Sequence, residues 1–191
     1  MTSVAIIPAR GGSVRIPRKN IRDFRGRPII EYSIDVAKRT GLFDAVWVST
    51  DDGDIERVAI ANGCRVYRRP KDEGTRGTQE VAREVLMELS TVDDACVIYP
   101  TCPLLVPSDI HRAWAVLQKR DALYAMTVST DPLADAGAIY FGKAAAFRVK
   151  APLIDSHTVL VPMPANRVCD INTESDWLRA ERMYDALRGI K

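Results

Sequence analysis

Histidine is scarce in this chain, and its cysteines are poorly spaced for metal work. The 191 residues include two histidines, His111 and His157, and four cysteines, Cys64, Cys96, Cys102 and Cys169. No two cysteines form a C-x-x-C pair, which argues against a zinc site. The four read instead as reduced structural thiols of a cytoplasmic protein. Long apolar runs are missing too. The first, Val4 to Ala9, is too short for a signal segment or a membrane span. No membrane partner is therefore expected. An excess of one charge is also lacking, since the net charge is only +2. The whole chain thus makes no general case for nucleic acid. Repeats, low-complexity stretches and linkers are absent as well, so residues 1–191 read as a single domain with a substantial core.

What is present is an alternation of two periods. Val4-Ala5-Ile6-Ile7 is a continuous apolar run, as in a strand buried on both faces. Pro28 suits the first position of a helix, and Ile29, Ile30, Ser33, Ile34 and Ala37 recur at helical spacing up to Gly41. Strand-like segments follow at 45–49, 65–68, 95–99 and 123–128, with helical ones at about 54–62, 78–89 and 108–119 between them. The last third is less regular. It offers strands at 138–141 and 158–161, and a helix capped by Thr173-Glu174-Ser175-Asp176. Strands alternating with helices predict a three-layer α/β/α sandwich around a mostly parallel sheet.

The first strand runs into Ala9-Arg10-Gly11-Gly12-Ser13. Between Arg10 and Arg27 lie seven basic residues (Arg10, Arg15, Arg18, Lys19, Arg22, Arg25, Arg27) and one acid, Asp23. That window carries +6, so the remainder sums to −4. Parallel sheets bind ligands at the carboxyl ends of their strands. Paired glycines let backbone N–H groups approach an anion, and arginines can grip phosphate oxygens in pairs. The spacing is neither the dinucleotide fingerprint nor the P-loop. The residues therefore point to a triphosphate held by Arg10, Gly11, Gly12, Ser13, Arg15, Arg18, Lys19 and Asn20. The basic cluster lacks interleaved aromatics, which disfavours nucleic acid.

The string I-I-P-A-R-G-G-S-V-R-I-P-R-K-N resembles the opening of the cytidylyltransferases that activate nonulosonic acids, the CMP-sialic, CMP-legionaminic and CMP-pseudaminic acid synthetases. G-R-P-I-I-E-Y-S-I, L-F-D-A-V-W-V-S-T-D-D, Arg69-Pro70, Y-P-T-C-P-L, D-A-G-A-I-Y-F-G and D-I-N-T-E-S-D-W resemble later family segments in the same order. Tyr99 and the D-A-G-A-I-Y stretch are nearer the pseudaminic form. The resemblance implies a Rossmann-like, nucleotide-diphospho-sugar transferase-like fold. It implies CMP transfer from CTP to a sugar acid, with release of pyrophosphate and help from Mg²⁺. It further implies Arg10 and Lys19 as catalytic cations, Asn20 and Arg69 near the nucleotide, Tyr99 and Thr101 facing the sugar, and Asp170 with residue 172 on the metal.

Two departures stand out. Asn172 occupies a position where the family has a second aspartate, which predicts weaker magnesium binding. Only five residues, Thr130 to Ala134, separate Val128-Ser129 from Asp135-Ala136-Gly137, where the family has tens more. That interval carries the family's dimerisation arm and part of its acceptor pocket. A monomer, or a dimer unlike the arm-swapped one, is expected. Two alternatives remain open: a nucleotidyltransferase for another acceptor such as Kdo, and a catalytically weak CTP-binding module.

Overall fold

The computed structural model of the protein describes residues 1–71, 74, 76–119 and 122–190. Six helices and nine strands alternate for most of its length. In chain order they are β1 (Ser3–Pro8), β2 (Asp23–Phe24), β3 (Arg27–Pro28), α1 (Ile30–Arg39), β4 (Ala45–Thr50), α2 (Gly53–Ala61), β5 (Arg65–Arg68) and α3 (Thr78–Met87). Then come β6 (Asp94–Ile98), α4 (Pro107–Lys119), β7 (Tyr124–Thr130), β8 (Leu133–Lys143), α5 (Ala144–Arg148), β9 (Thr158–Pro162) and α6 (Glu174–Arg188).

Seven strands form one sheet in the order β5-β4-β1-β6-β8-β7-β9. β1 pairs in parallel with both β4 and β6, and β9 in parallel with β7. Only β8 runs against its neighbours. Period-two alternation sends successive β1 side chains to opposite faces. Ala5 and Ile7 pack with α1, α2 and α4, while Val4 and Ile6 pack with α3 and α5. That is the expected three-layer sandwich.

Three local features differ from the sequence expectation. Pro28 does not start a helix. It pairs with Asp23 in a two-stranded β2–β3 hairpin, and α1 begins at Ile30. Strand β8 is far longer than the 138–141 core, because it extends back to Leu133 and pairs Thr130 with Leu133 across a tight turn. The short α5 follows it directly.

Helix α6 has its own partner, the β2–β3 hairpin. Phe24 meets Tyr32, Trp177 and Tyr184 edge to face, with ring centroids 5.5, 5.5 and 5.7 Å apart. Each such contact adds about 0.5–1.5 kcal/mol beyond burial itself. Ile16 and Ile171 are fully buried in the same cluster. A residue of the basic loop and one of the segment before α6 are thereby pinned together.

Candidate active site

Three connections, those that leave the carboxyl ends of β1, β5 and β6, together with the segment before α6, enclose a cleft of about 230 Å³. Arg10, Arg15, Lys19 and Asn20 come from the loop after β1, Arg69 from the turn after β5, and Tyr99 and Thr101 from the turn after β6. Asp170 and Asn172 close the cleft from the α6 side. A smaller cavity of about 90 Å³ adjoins it, lined by Arg10, Ser13, Val14, Arg15, Lys19 and Asn20. Ten of the thirteen residues singled out in the sequence therefore line the main cleft or the smaller cavity, which adds Ser13.

The other three stand elsewhere. Arg18 turns its guanidinium away from the cleft, onto Asp54 and, at 3.8 Å, Asp52. Gly11 already spends its N–H on Asp51 Oδ1 at 2.8 Å. Gly12 is exposed and lines neither cavity. The glycine pair thus shapes the loop. A Cβ on Gly11 would fall 2.5 Å from Asp52 Oδ2, so only glycine fits there without a shift.

The loop is braced from inside. Ala9 N–H continues the ladder to the Ser49 carbonyl at 2.9 Å. Asn20, nearly buried, donates through Nδ2 to the Arg10 carbonyl at 2.9 Å and closes the turn. Asn20 is therefore a brace for the loop as well as a lining residue.

The charges sort by direction. Arg18, Arg22 and Arg25 point outward and pair with Asp54, Glu174 and Asp185. Arg10, Arg15 and Lys19 point into the cleft. Much of the basic run is thus neutralised by acids elsewhere in the chain, and three of its cations join Arg69 and Arg76 in lining the cleft. Burial pushes the Lys19 ammonium below its usual 10.5, Asp170 opposes that shift, and Arg15 and Arg10 reinforce it. Lys19 Nζ is held by the Ile171 carbonyl at 2.7 Å.

Asp170 and Asn172 flank the buried Ile171, so both side chains face the cleft, as alternation on an extended segment requires. Asn172 Oδ1, however, accepts from Arg15 Nη2 at 2.7 Å, and its Nδ2 donates to Asp170 Oδ2. Among the described residues, no group of three or more histidine, cysteine or acidic side chains is arranged to hold a metal ion. The donor set fits a magnesium ion bound mainly through substrate phosphates and water, with Asp170 as its one carboxylate. It does not fit an all-protein cage.

Several lining residues escape sequence reasoning. Arg76, Gly77 and Thr78, at the start of α3, also line the cleft. Thr78 Oγ1 lies 2.7 Å from the Tyr99 hydroxyl. Gly74, with φ +91°, sits where a Cβ would fall 1.9 Å from Arg10 Nη1, so a bare backbone there makes room for the guanidinium. Their stretch has no periodicity to betray it; the isolated glycines were its only signal. Cys102 neighbours the cleft, but burial and Asp170 push its thiol well up, which disfavours the nucleophilic thiolate. Helix geometry adds that none among the described residues is long and apolar enough to cross a membrane.

Known proteins agree with this architecture. The structure of CMP:2-keto-3-deoxy-manno-octonic acid synthetase complexed with CTP superposes with a TM-score of 0.80 at 17% identity, covering 98% of this chain and all of that one. A pseudaminic acid cytidylyltransferase of Campylobacter jejuni is 33% identical over 96% of this chain and 97% of its own length. That alignment has 224 positions against 191 residues, so at least 33 positions of the relative lack a counterpart here. N-acylneuraminate cytidylyltransferase A of Danio rerio is 36% identical over 61% of this chain and 27% of its own length. The cytidylyltransferase family model matches residues 4–149, and with these relatives it establishes that the chain belongs to the cytidylyltransferase family.

Proposed function

We propose that the protein transfers CMP from CTP to a nonulosonic acid, with pseudaminic acid as the first candidate acceptor. The observation that carries this reading is the convergence of Arg10, Arg15 and Lys19 on one cleft, opposite Asp170. The relative that covers nearly all of the chain is a pseudaminic acid cytidylyltransferase. In this reaction the anomeric hydroxyl oxygen of the sugar acid bonds to the α-phosphorus, and the bond to the β-phosphate breaks. The chemistry demands positioning and charge neutralisation more than covalent help.

The placement of these residues supports the roles that the family resemblance implies. Arg10 and Lys19 neutralise the triphosphate and the departing pyrophosphate. Ser13 offers a hydroxyl donor, and Gly11 and Gly12 give the loop its shape. Asn20 keeps that loop closed, and Arg69 forms the nucleotide-side wall. Tyr99 and Thr101 border the acceptor. Asp170 would hold Mg²⁺, which when bound supplies positive charge at the phosphates. Arg18 supports the site only indirectly, through α2.

Pyrophosphate release tests the reading. CTP, Mg²⁺ and pseudaminic acid together should give release that stops when any one is omitted. Legionaminic acid, sialic acid and Kdo are the comparison acceptors. Release with none of the four would defeat the proposal. A second reading, a CTP-binding module of weak turnover, is favoured by Asn172 and by the tight β7–β8 turn. It predicts CTP binding by calorimetry without release on any acceptor.

A further inference from the structure

Asn172 stands where a second carboxylate would complete a metal-holding pair, and its amide has another task. Its Oδ1 accepts from Arg15 and its Nδ2 donates to Asp170. One residue earlier, the Ile171 carbonyl accepts from Lys19 at 2.7 Å. Two cleft cations are therefore tethered to the same short segment, one by backbone and one by side chain. Only an amide can serve both neighbours at position 172. A carboxylate there would accept from Arg15 but could not donate to Asp170, and it would repel that carboxylate. Arg15 needs such a tether. Its side chain is exposed, it forms no ion pair with an acid among the described residues, and an untethered arginine loses rotamer entropy on gripping an anion.

We propose that Asn172 is a positioning residue that holds Arg15 against the cleft for the nucleotide phosphates, and that it is not a metal ligand. The segment Asp170-Ile171-Asn172 then has divided duties. Asp170 serves the metal, the Ile171 carbonyl aims Lys19, and Asn172 aims Arg15. The buried Ile171 side chain anchors all three to the α6 core. The loss of one carboxylate at this segment is offset by a fixed guanidinium. The inference rests on the nucleotide reading of the cleft.

Calorimetric CTP titrations of the wild type, Asn172→Ala, Arg15→Ala, the double variant and Asp170→Asn, each in EDTA and in Mn²⁺, separate the two roles. Asn172→Ala and Arg15→Ala should each weaken binding in EDTA by about tenfold, as expected for a hydrogen bond to a charged group. The double variant should be little weaker than Arg15→Ala alone, since both remove one unit. The gain in affinity from Mn²⁺ should survive Asn172→Ala and collapse in Asp170→Asn. The inference is overturned if Asn172→Ala binds CTP normally in EDTA and loses only the Mn²⁺ gain. It is equally overturned if the two losses add in the double variant. Absence of CTP binding by the wild type would instead remove the nucleotide reading, and the inference with it.

Discussion

At the scale of single residues, the loop after β1 is held by contacts that leave little slack. Asp51 takes the Gly11 N–H and Asp52 fills the space beside its Cα. Gly11→Ala should therefore cost about 1–3 kcal/mol through overpacking. Denaturant melts should register that loss, and CTP affinity should fall with it because the loop must shift. Lys19 makes a second prediction. Burial lowers its pKa, with Arg15 and Arg10 adding to the effect against Asp170. If Lys19 binds phosphate as proposed, the protonated form does so, and affinity should be full at lower pH and decline as pH rises through a value below 10.5. Lys19→Arg keeps its charge throughout. Titrations of CTP against pH should show the alkaline decline in the wild type and not in the variant. The same decline in both would show that another group controls it.

Among the elements, α6 links the ends of the site. Thr173 and Asp176 form a reciprocal cap, and Asp176 Oδ2 also accepts from the Asn172 and Thr173 N–H groups at 3.1 and 2.8 Å. Thr173→Ala should cost about 1 kcal/mol, measured by chemical denaturation at neutral pH. The hydrogen bond from Thr173 is the largest cause of the lowered Asp176 pKa. A depressed carboxylate stabilises above its unfolded pKa and loses that contribution as pH falls through the native value. The gap between wild type and variant should thus narrow below pH 3.8. This cap, like most strands and helices, was legible from the residues because it rests on local chemistry and period. The β2–β3 hairpin was not, since two-residue strands carry no period, and Pro28 suits either element. The wall at Arg76, Gly77 and Thr78 was hidden for a related reason: its placement depends on how the chain returns from β5, not on its own sequence. Arg18 and Arg15 show the limit most clearly. Both are exposed arginines in one run, yet only the fold decides that one faces Asp54 and the other the cleft.

For the molecule as a whole, the site is assembled from distant parts of the chain. Arg22 lies over the Trp177 ring at 4.5 Å and also pairs with Glu174, while Arg25 reaches Asp185 and Glu181. Ending the chain before Thr173 would uncover Phe24, Ile29 and Tyr32, all buried in the wild type. Such a variant should bind a hydrophobic dye and lose CTP affinity while retaining most of its circular dichroism, because every strand of the seven-stranded sheet precedes α6. Retained affinity would show that the loop holds its shape alone.

The docking of α6 on the β2–β3 hairpin also bears on how the protein is born. The basic loop leaves the ribosome early, but Ile171, Asn172 and Trp177, which seat it, are made more than 140 residues later. A chain still being translated therefore carries Arg15 and Lys19 without the contacts that hold them in the finished fold. On the proposed function, nucleotide capture should wait on the synthesis of α6, which would make this helix the last piece of the cleft to arrive.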